Sequence, residues 1–482
     1  MAASSRAHWK LASLLGAASF LSFIYFYEGG GWNQNSRFDL LRAILQRHTL
    51  QIDAYHENTQ DKAHFHGHYY SDKAPGLVFL AVPFAAVARE VLRVAEVDPD
   101  SARGGYALSY IATACSVGLP TALAGVCLFF LGLRFGADSA GAAFATIVLA
   151  IGTPMLAYAS LFWAHALVGA CLLFAFAAAV KLGDGGREFW WALAVGLAAG
   201  WATVTEYPAA PASALLAVFA LLQVWSRGSA TSWRVVAGVG IGAAACAVVL
   251  FSYLHAAFGS FRPSYSYYDP NSFSFMQQRG YMGLTYPHPD RLLKLMFGAS
   301  RGLFFASPVL VAGVAGLWWL GKKFRGPALV AGAIAAYYFL FNASFYWWKS
   351  GLSFGPRYIG ACIPLLCLGL GVAWARASLR WRGVLLAVAF VSVFVAAMVV
   401  STSSQLAMQD NSPLVHSSWP AFWSGKMAMN HESMLQASEA GSGYGAFNLG
   451  ELIGLRGLGS LGPFVAMWGI VCGLVGRILQ KK

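Results

Sequence analysis

Residues 37–76, RFDLLRAILQRHTLQIDAYHENTQDKAHFHGHYYSDKAPG, are the part of the chain whose residue types and spacing can do chemistry. This stretch holds several carboxylates, two lysines and five histidines, in a 482-residue chain of which 58% is hydrophobic and 11% charged. A carboxylate can act as a general base, and a lysine can bind an anionic group. We interpret the stretch as a catalytic loop on the outer face of a membrane.

The bulk composition places the chain among multi-pass membrane proteins. Its mean hydropathy is +0.56, and it contains repeated apolar runs of about 17 to 25 residues, long enough to cross a bilayer as helices. The net charge of +13 comes mostly from short loops between these runs, as expected for cytoplasmic loops. No basic stripe with interleaved aromatic residues occurs, so we expect no nucleic-acid partner. All seven cysteines lie in apolar runs, which indicates small buried residues rather than disulfides or metal ligands.

Thirteen apolar segments are candidates for membrane helices. If all of them cross, the basic ends SSRAHWK and RILQKK lie on opposite sides, although both should be cytoplasmic. The basic loops share one side if segment 76–94 stays at the outer surface, and this segment holds Pro83 and ends in the charged run AREVLR. We therefore predict an all-α polytopic fold with about 12 transmembrane helices and in-plane helices in the first outer loop. The segments are 11–27, 76–94, 106–131, 140–158, 162–181, 188–205, 209–225, 234–257, 302–320, 327–344, 358–374, 383–401 and 461–478.

This topology predicts three parts of the chain. Residues 1–401 form a transmembrane catalytic module with outer loops at 28–105 and 258–301, residues 402–460 form an external loop that folds over the site or stays a flexible cap, and residues 461–482 form a last helix with a basic tail. Most acidic, histidine and tyrosine residues fall on the outer face, which is typical of an interfacial enzyme more than of a transporter.

Four acids of the first outer loop are candidate catalytic residues. Asp39 follows the first membrane helix at the start of an amphipathic helix over 36–48, although Ser36-x-x-Asp39 is equally well a capping box. Asp61, in TQDKA, is an alternative base, as is Asp53. Asp72 lies in YSDKAPG, where it either serves a turn or positions a substrate.

Histidines and outer helix ends supply further candidates. His64, His66 and His68 share one face if the chain is extended there, and such a face can hold a divalent cation. A polar loop whose histidines hydrogen-bond to substrate or backbone is the plainer interpretation, so we predict no definite cofactor and leave a divalent metal ion open. The candidate substrate contacts are Tyr70 and His68 in the loop, and His165 and Glu206 at outer helix ends, where capping or anchoring explains them equally well.

Short motifs follow one another along the predicted outer loops. FDLLRA at 38–43 places an acid after the first helix, and GHYYSDKAPG at 67–76 contains G-x-x-Y-x-x-K-x-P. ASRGLFFASPVL at 299–310 and YWWKSGLSFGPRYIGACIP at 346–364 come later. In this order the motifs resemble those of the GT-C membrane glycosyltransferases, the class of the aminoarabinose and protein O-mannosyl transferases, similar to glycosyltransferase family 39. Here Leu40 replaces the usual Glu after the acid, and Ala74 replaces the first Pro of Lys-Pro-Pro.

The resemblance implies an inverting glycosyltransferase. It would move a hexosyl or pentosyl group from a polyprenyl-phosphate-type lipid donor to a lipid, glycan or protein acceptor. Because the leaving group is a stable phosphate, one carboxylate base suffices, and cations stabilise the departing charge. The candidate cations are Lys73, Arg301, Lys349 and Arg357, with Tyr358 beside the last.

Two other functions remain open from the sequence. A secondary transporter or lipid flippase would need ionisable residues or broken helices at mid-membrane depth, where mainly Gly, Ala and Pro occur. A non-catalytic subunit can keep the same fold. For the enzyme, we expect a bacterial-type inner membrane with the site on the periplasmic or extracellular side.

Overall fold

The computed structural model describes residues 2–225, 228–269, 279–441 and 443–480, so 270–278 of the predicted outer loop 258–301 lie outside the described residues. Every one of the predicted apolar segments is helical. The helices are α1 (Ala2–Tyr25), α2 (Trp32–Arg47), α3 (Gly76–Val94), α4 (Ala102–Thr113), α5 (Leu119–Arg134), α6 (Ser139–Ile151), α7 (Met155–Ala159), α8 (Ala164–Leu182), α9 (Glu188–Thr205), α10 (Ala210–Leu222), α11 (Ser229–Phe258), α12 (Pro289–Phe297), α13 (Leu303–Ala306), α14 (Leu310–Gly321), α15 (Arg325–Ser344), α16 (Ile363–Arg376), α17 (Leu379–Thr402), α18 (Trp419–Trp423), α19 (Ala437–Ala440), α20 (Leu449–Leu452) and α21 (Gly462–Gln480). The strands are β1 (Phe26–Tyr27), β2 (Lys62–Phe65), β3 (His68–Ser71) and β4 (Phe447–Asn448).

The chain is a multi-pass helical membrane protein, which confirms the predicted fold class. In the described parts, eight helical stretches are long and apolar enough to cross a membrane, and three shorter apolar helices accompany them. α3 is not among these eight, since it carries Arg89, Glu90 and Arg93 in its last turns. The total of about 12 crossings and the in-plane position of α3 stay predictions. The eight stretches are Ser5–Tyr25, Ala102–Arg134, Ala164–Leu182, Ala230–Phe258, Arg325–Ser344, Arg357–Arg376, Leu379–Thr402 and Gly457–Gln480.

Two segments predicted as single helices are broken at proline. Segment 140–158 divides before Pro154, and segment 302–320 divides at Pro308. Proline has no backbone N–H and its ring clashes with the preceding turn, so it ends a helix. The two breaks meet, because the Ser307 hydroxyl donates to the carbonyl of Gly152 at 3.0 Å.

The helices α14 and α16 approach each other through glycine. A Cβ atom added at Gly316 would lie 1.8 Å from the Gly369 carbonyl oxygen, and one added at Gly369 would lie 1.9 Å from the Gly313 carbonyl oxygen. Small residues let helix backbones come this close, and close backbone packing is a main source of attraction between membrane helices.

The region between α17 and α21, residues 403–461, packs on the first outer loop, and we call it the cap. β1 and β4 pair antiparallel, with Phe26 opposite Asn448. The Gly30 N–H donates to the Glu432 carbonyl at 2.7 Å. Arg42 of α2 forms a two-bond ion pair with Glu439, at 2.8 and 2.6 Å.

The glycine contact yields a test of the helix packing. Gly316→Ala should lower stability by about 2 kcal/mol or more, because the added methyl group forces α14 away from α16. Its unfolding temperature in detergent, followed by intrinsic fluorescence, should fall by several degrees. Gly332→Ala in α15 is the matched control, since no atom lies within 4 Å of its added Cβ; it should leave the temperature unchanged or raise it. Equal unfolding temperatures for both variants would contradict the packing.

Candidate active site

A cavity of about 310 Å³ lies where the first outer loop, the loop before α16 and the cap meet. Its wall combines charged, amide and aromatic side chains, a composition typical of sites for polar ligands. Four predicted site residues line it: Asp61, Lys73, Arg357 and Tyr358. The other lining residues are Gly31, Trp32, Asn33, Gln34, Trp163, Tyr268, Trp347, Gly351, Leu352, Gln405, Met408, Gln409 and Glu432.

Lys73 is buried between two carboxylates. Its ammonium nitrogen lies 2.8 Å from Asp61 Oδ2 and 2.8 Å from Asp72 Oδ2. Burial lowers the pKa of Lys73, but the two carboxylates outweigh it and the net pKa is raised. Burial raises the pKa of Asp72 against the opposing effect of Lys73. The ammonium therefore stays charged, and of its two partners Asp61 is the one that lines the cavity.

Hydrogen bonds with nearby hydroxyl groups hold both aspartates in position. Asp72 is fully buried and accepts from the Ser36 hydroxyl of α2 at 3.3 Å. Its carbonyl accepts from Ser264 at 2.7 Å, so a loop more than 190 positions later holds the same turn. Asp61 is placed through Thr59, whose hydroxyl accepts from the Asp61 N–H at 3.0 Å and donates to the Trp32 carbonyl at 2.7 Å.

Arg357 presents an unpaired guanidinium to the cavity. It lies over the rings of Trp163, at 5.1 Å, and Tyr358, at 5.5 Å, which are favourable cation–π distances. Within the described residues no carboxylate or other acceptor meets it, and its Nε is buried without a partner. Trp163 is held in turn by Gln34, whose side-chain oxygen accepts from the indole N–H at 2.8 Å. This guanidinium is therefore available to an anionic ligand.

Arg301 is used differently from Arg357. It is 1% exposed, and its guanidinium donates to the carbonyl oxygens of five residues, so its donors are occupied by the backbone. The acceptors are Ser300, Lys349, Gly351, Ser353 and Leu406, at 2.6 to 3.3 Å. Arg301 does not line the cavity; it ties the wall loop 349–353 to the cap. Lys349 is also absent from the lining, and its ammonium donates to the Met408 carbonyl at 3.3 Å.

Asp39 does not line the cavity. α2 begins at Trp32, with Gly31 at its N-cap, so Ser36 and Asp39 lie in the helix and the predicted capping box does not form. Asp39 is 0% exposed; one oxygen accepts from Asn58 at 3.4 Å and the other has no partner. Burial raises its pKa well above the usual range, against the lowering effect of Arg42. The structure thus brings Asp61 and Asp72 to Lys73, and leaves Asp39 under the cap.

Four further predicted contacts lie outside the cavity lining. Glu206 forms a buried ion pair with Arg37 at 2.8 Å, and Arg37 also donates to the cavity residue Asn33 at 2.6 Å. His165 is buried behind the wall, 5.8 Å from the ring of Tyr358. Tyr70 packs on Phe258 and His68 is exposed, pairing with Asp53 at 2.7 Å.

The three alternating histidines do not share a strand. His64 is in β2 and His68 is in β3, and the hairpin turns between them at His66, whose φ is +51°. The condition for a shared face, an extended chain from His64 to His68, is therefore not met. In the described part of the chain no group of three or more His, Cys, Asp or Glu residues is placed to hold a metal ion.

Sequence reasoning missed the aromatic and amide half of the wall. Trp32 and Gln34 precede the predicted start of the amphipathic helix, and Gln405, Gln409 and Glu432 come from the cap. The weak signal for the cap residues was the polarity of a long outer loop without periodicity. Trp163 lies two residues before the predicted contact His165, but an aromatic residue at a helix end is equally typical of the membrane interface.

Comparisons with known proteins give similarities of fold. The chain is 19% identical to ArnT from Cupriavidus metallidurans in the apo state, with a TM-score of 0.49 over 80% of this chain and 63% of that one. With the same protein bound to undecaprenyl phosphate, the identity is 20% and the TM-score is 0.49, over 81% of this chain and 64% of that one. A third similar structure is the archaeal oligosaccharyltransferase AglB from Archaeoglobus fulgidus, in complex with an inhibitory peptide and a dolichol-phosphate. Here the identity is 12% and the TM-score is 0.47, over 81% of this chain and 55% of that one.

The chain spans less than two thirds of the length of these solved structures. No family model and no curated protein matches the chain.

The role of Arg301 is testable by a charge-conserving change. Arg301→Lys loses most of the five carbonyl contacts, so the free energy of unfolding should fall by about 3 kcal/mol or more. Hydrogen exchange of residues 349–353 should become faster and the unfolding temperature should fall. Arg291→Lys is the control, because this partly buried arginine donates to one carbonyl, that of Phe345. Unchanged exchange in the Arg301 variant would show that the loop is held by other contacts.

Glu28, which anchors the cap, should make stability depend on pH. It is 2% exposed and accepts from the Ser404 N–H at 3.0 Å, and burial raises its pKa from 4.5 to about 7. The folded protein thus holds a proton that the unfolded chain loses between pH 4.5 and 7. Its stabilising contribution is full below pH 4.5 and is lost as the pH rises through 7.

The measurement compares wild type with Glu28→Gln. Between pH 5 and pH 8 the unfolding temperature of the wild type should fall relative to that of the variant, by an amount corresponding to about 3 kcal/mol. The exposed Glu57→Gln variant serves as control and should follow the wild type. Parallel curves for wild type and Glu28→Gln would contradict a raised pKa.

Proposed function

We propose that the protein is an inverting glycosyltransferase. It moves a hexosyl or pentosyl group from a polyprenyl-phosphate donor to an acceptor hydroxyl on the outer face of the membrane. The observation that carries the proposal is the cavity itself, in which an unpaired guanidinium, a lysine and a carboxylate come together. The resemblance of the outer-loop motifs to the GT-C class supports the same reaction.

The cationic side of the cavity suits a lipid-linked phosphate. Arg357 offers a planar pair of donors that can bind two phosphate oxygens, and cation–π contacts to Trp163 and Tyr358 hold it in place. Lys73 supplies a second positive charge at the same cavity. Preorganised cations of this kind stabilise the negative charge that develops on the leaving phosphate.

Asp61 is the proposed general base. As the acceptor oxygen forms its bond to the anomeric carbon, the bond from that carbon to the phosphate oxygen breaks, and the lipid phosphate leaves with the electron pair. Asp61 takes the acceptor's hydroxyl proton, and the anomeric configuration inverts. Asp72, fully buried on the other side of Lys73, positions the ammonium. No general acid is needed, because the phosphate is already a stable leaving group.

The distribution of basic loops supports an outer-face reaction. The cavity is built from the first outer loop, the loop before α16 and the cap, and the positive-inside tendency assigns all three to the side opposite the basic loops. We propose a bacterial-type inner membrane with the cavity on its periplasmic side.

The base assignment is tested by paired substitutions. Asp61→Asn should lower the rate of sugar transfer by about 100- to 10,000-fold, as expected for loss of a general base. Asp39→Asn should keep the rate within about threefold, because Asp39 is buried outside the cavity lining and the amide has nearly the same shape as the carboxyl group. The measurement is transfer of radiolabelled sugar from a polyprenyl-phosphate donor to acceptors in a membrane extract.

Asp53→Asn, an exposed acid of the same loop, is the control and should be active. An inactive Asp39→Asn variant together with an active Asp61→Asn variant would move the base to Asp39. Absence of transfer by the folded wild type, with donors of several sugars, would overturn the proposed function.

A further inference from the structure

We infer that the cap side of the cavity is an acceptor subsite for a neutral saccharide. The inference rests on the proposed transferase function and deepens it, since it names the class of acceptor. The subsite consists of Trp32 at the start of α2, Trp347, and the cap residues Gln409 and Glu432, all of which line the cavity.

The cavity wall carries two chemically different sets of residues, the cations Lys73 and Arg357 and the neutral or acidic residues Trp32, Gln409 and Glu432, and Asp61 is linked to a member of each. On one side Asp61 contacts the Lys73 ammonium at 2.8 Å. On the other, Thr59 joins the Asp61 backbone to the Trp32 carbonyl. In an inverting reaction the nucleophile approaches from the face opposite the leaving group. If phosphate occupies the cationic side, the acceptor must come from the side of Trp32 and the cap.

The side chains of the subsite have the chemistry that recognises sugar hydroxyls. Trp32 is 51% exposed and offers a large rigid surface for a sugar ring. Within the described residues, the Glu432 carboxylate and the Gln409 amide have no hydrogen-bond partner inside the protein. A carboxylate accepts from two hydroxyls, and an amide both donates and accepts, so together they match the mixed donors and acceptors of a saccharide.

The backbone holds this subsite in place. The Gly30 N–H donates to the Glu432 carbonyl at 2.7 Å, and Gln405 donates to the Gly30 carbonyl at 2.7 Å. These bonds fix the cap against the residues just before Trp32. The backbone of Glu432 is therefore held next to the start of α2, and Glu432 and Trp32 line the same cavity.

Charge and backbone structure argue against two other acceptor classes. The Glu432 carboxylate gives this side negative charge, which repels a phosphorylated acceptor. One common way to bind an extended peptide is to pair it with a strand edge, whereas Trp32, Trp347, Gln409 and Glu432 lie in a helix start and in loops. A neutral saccharide meets neither obstacle.

Binding measurements on the full-length protein in detergent separate the two sides. The probes are a panel of neutral hexose disaccharides, observed by saturation-transfer NMR, and undecaprenyl phosphate, titrated by tryptophan fluorescence. Trp32→Ala and Glu432→Gln should weaken disaccharide binding about five- to tenfold and leave undecaprenyl phosphate binding within twofold. Arg357→Ala should weaken undecaprenyl phosphate binding and leave disaccharide binding within about twofold.

Matched controls are Trp423→Ala, a 54% exposed tryptophan of α18 outside the cavity, and Glu57→Gln. Both should bind each probe like the wild type. If Trp32→Ala does not fold, judged by its unfolding temperature, Glu432→Gln decides the test.

Each outcome has one meaning. Binding of undecaprenyl phosphate without any disaccharide, or equal weakening by Trp423→Ala, overturns the subsite and leaves the proposed function standing. Disaccharide binding without lipid-phosphate binding overturns both, because the subsite then has no donor to serve. Trp32-dependent binding of a serine-containing peptide in place of the disaccharides assigns the acceptor to another class and overturns the inference.

Discussion

The Lys73 ammonium, buried between Asp61 and Asp72, is the interaction on which the site depends. A single buried charge is costly, and removing one partner of a buried pair leaves the other uncompensated. With a carboxylate on either side of it, the Lys73 ammonium keeps its charge although it is buried. The hydroxyls of Ser36, Thr59 and Ser264 hold the segments that carry the two carboxylates, so α2, the hairpin and a distant loop must all be in register for the cluster to form.

Two arginines show how the same residue type divides into structural and ligand-binding use. Arg301 donates to backbone carbonyls, and these hydrogen bonds set the position of the loop that leads to Arg357. Arg357 lies over two aromatic rings and meets no acceptor in the described residues, so its donors are not occupied by the backbone as those of Arg301 are. Rings can hold a guanidinium without consuming its hydrogen bonds, which a carboxylate partner would do.

The fold was largely predictable from the sequence, and the site was predictable in part. Hydrophobic runs locate α3 and α9 with the same bounds that the structure has, because apolar length is a strong signal. Asp39 illustrates the limit. The start of α2 at Trp32 was not recognised, and on a helix Asp39 lies about 140° around the axis from Gln34, so it faces away from the cavity. The partnership of Lys73 with Asp61 and the approach of Glu432 depend on long-range contacts that carry no local sequence signal.

The cap has a consequence for synthesis. The wall of the cavity joins Trp32 to Glu432, and β1 pairs with β4 across about 420 positions of the chain. A ribosome at 5 to 20 residues per second needs on the order of 20 to 80 seconds to cover that distance. During that interval the early membrane helices are already in place, while the buried groups Glu28 and Asp39 still lack their cover. The cavity is therefore among the last features to be completed, and a nascent chain that stalls before the cap has Lys73 and Arg357 in place without Gln409 and Glu432.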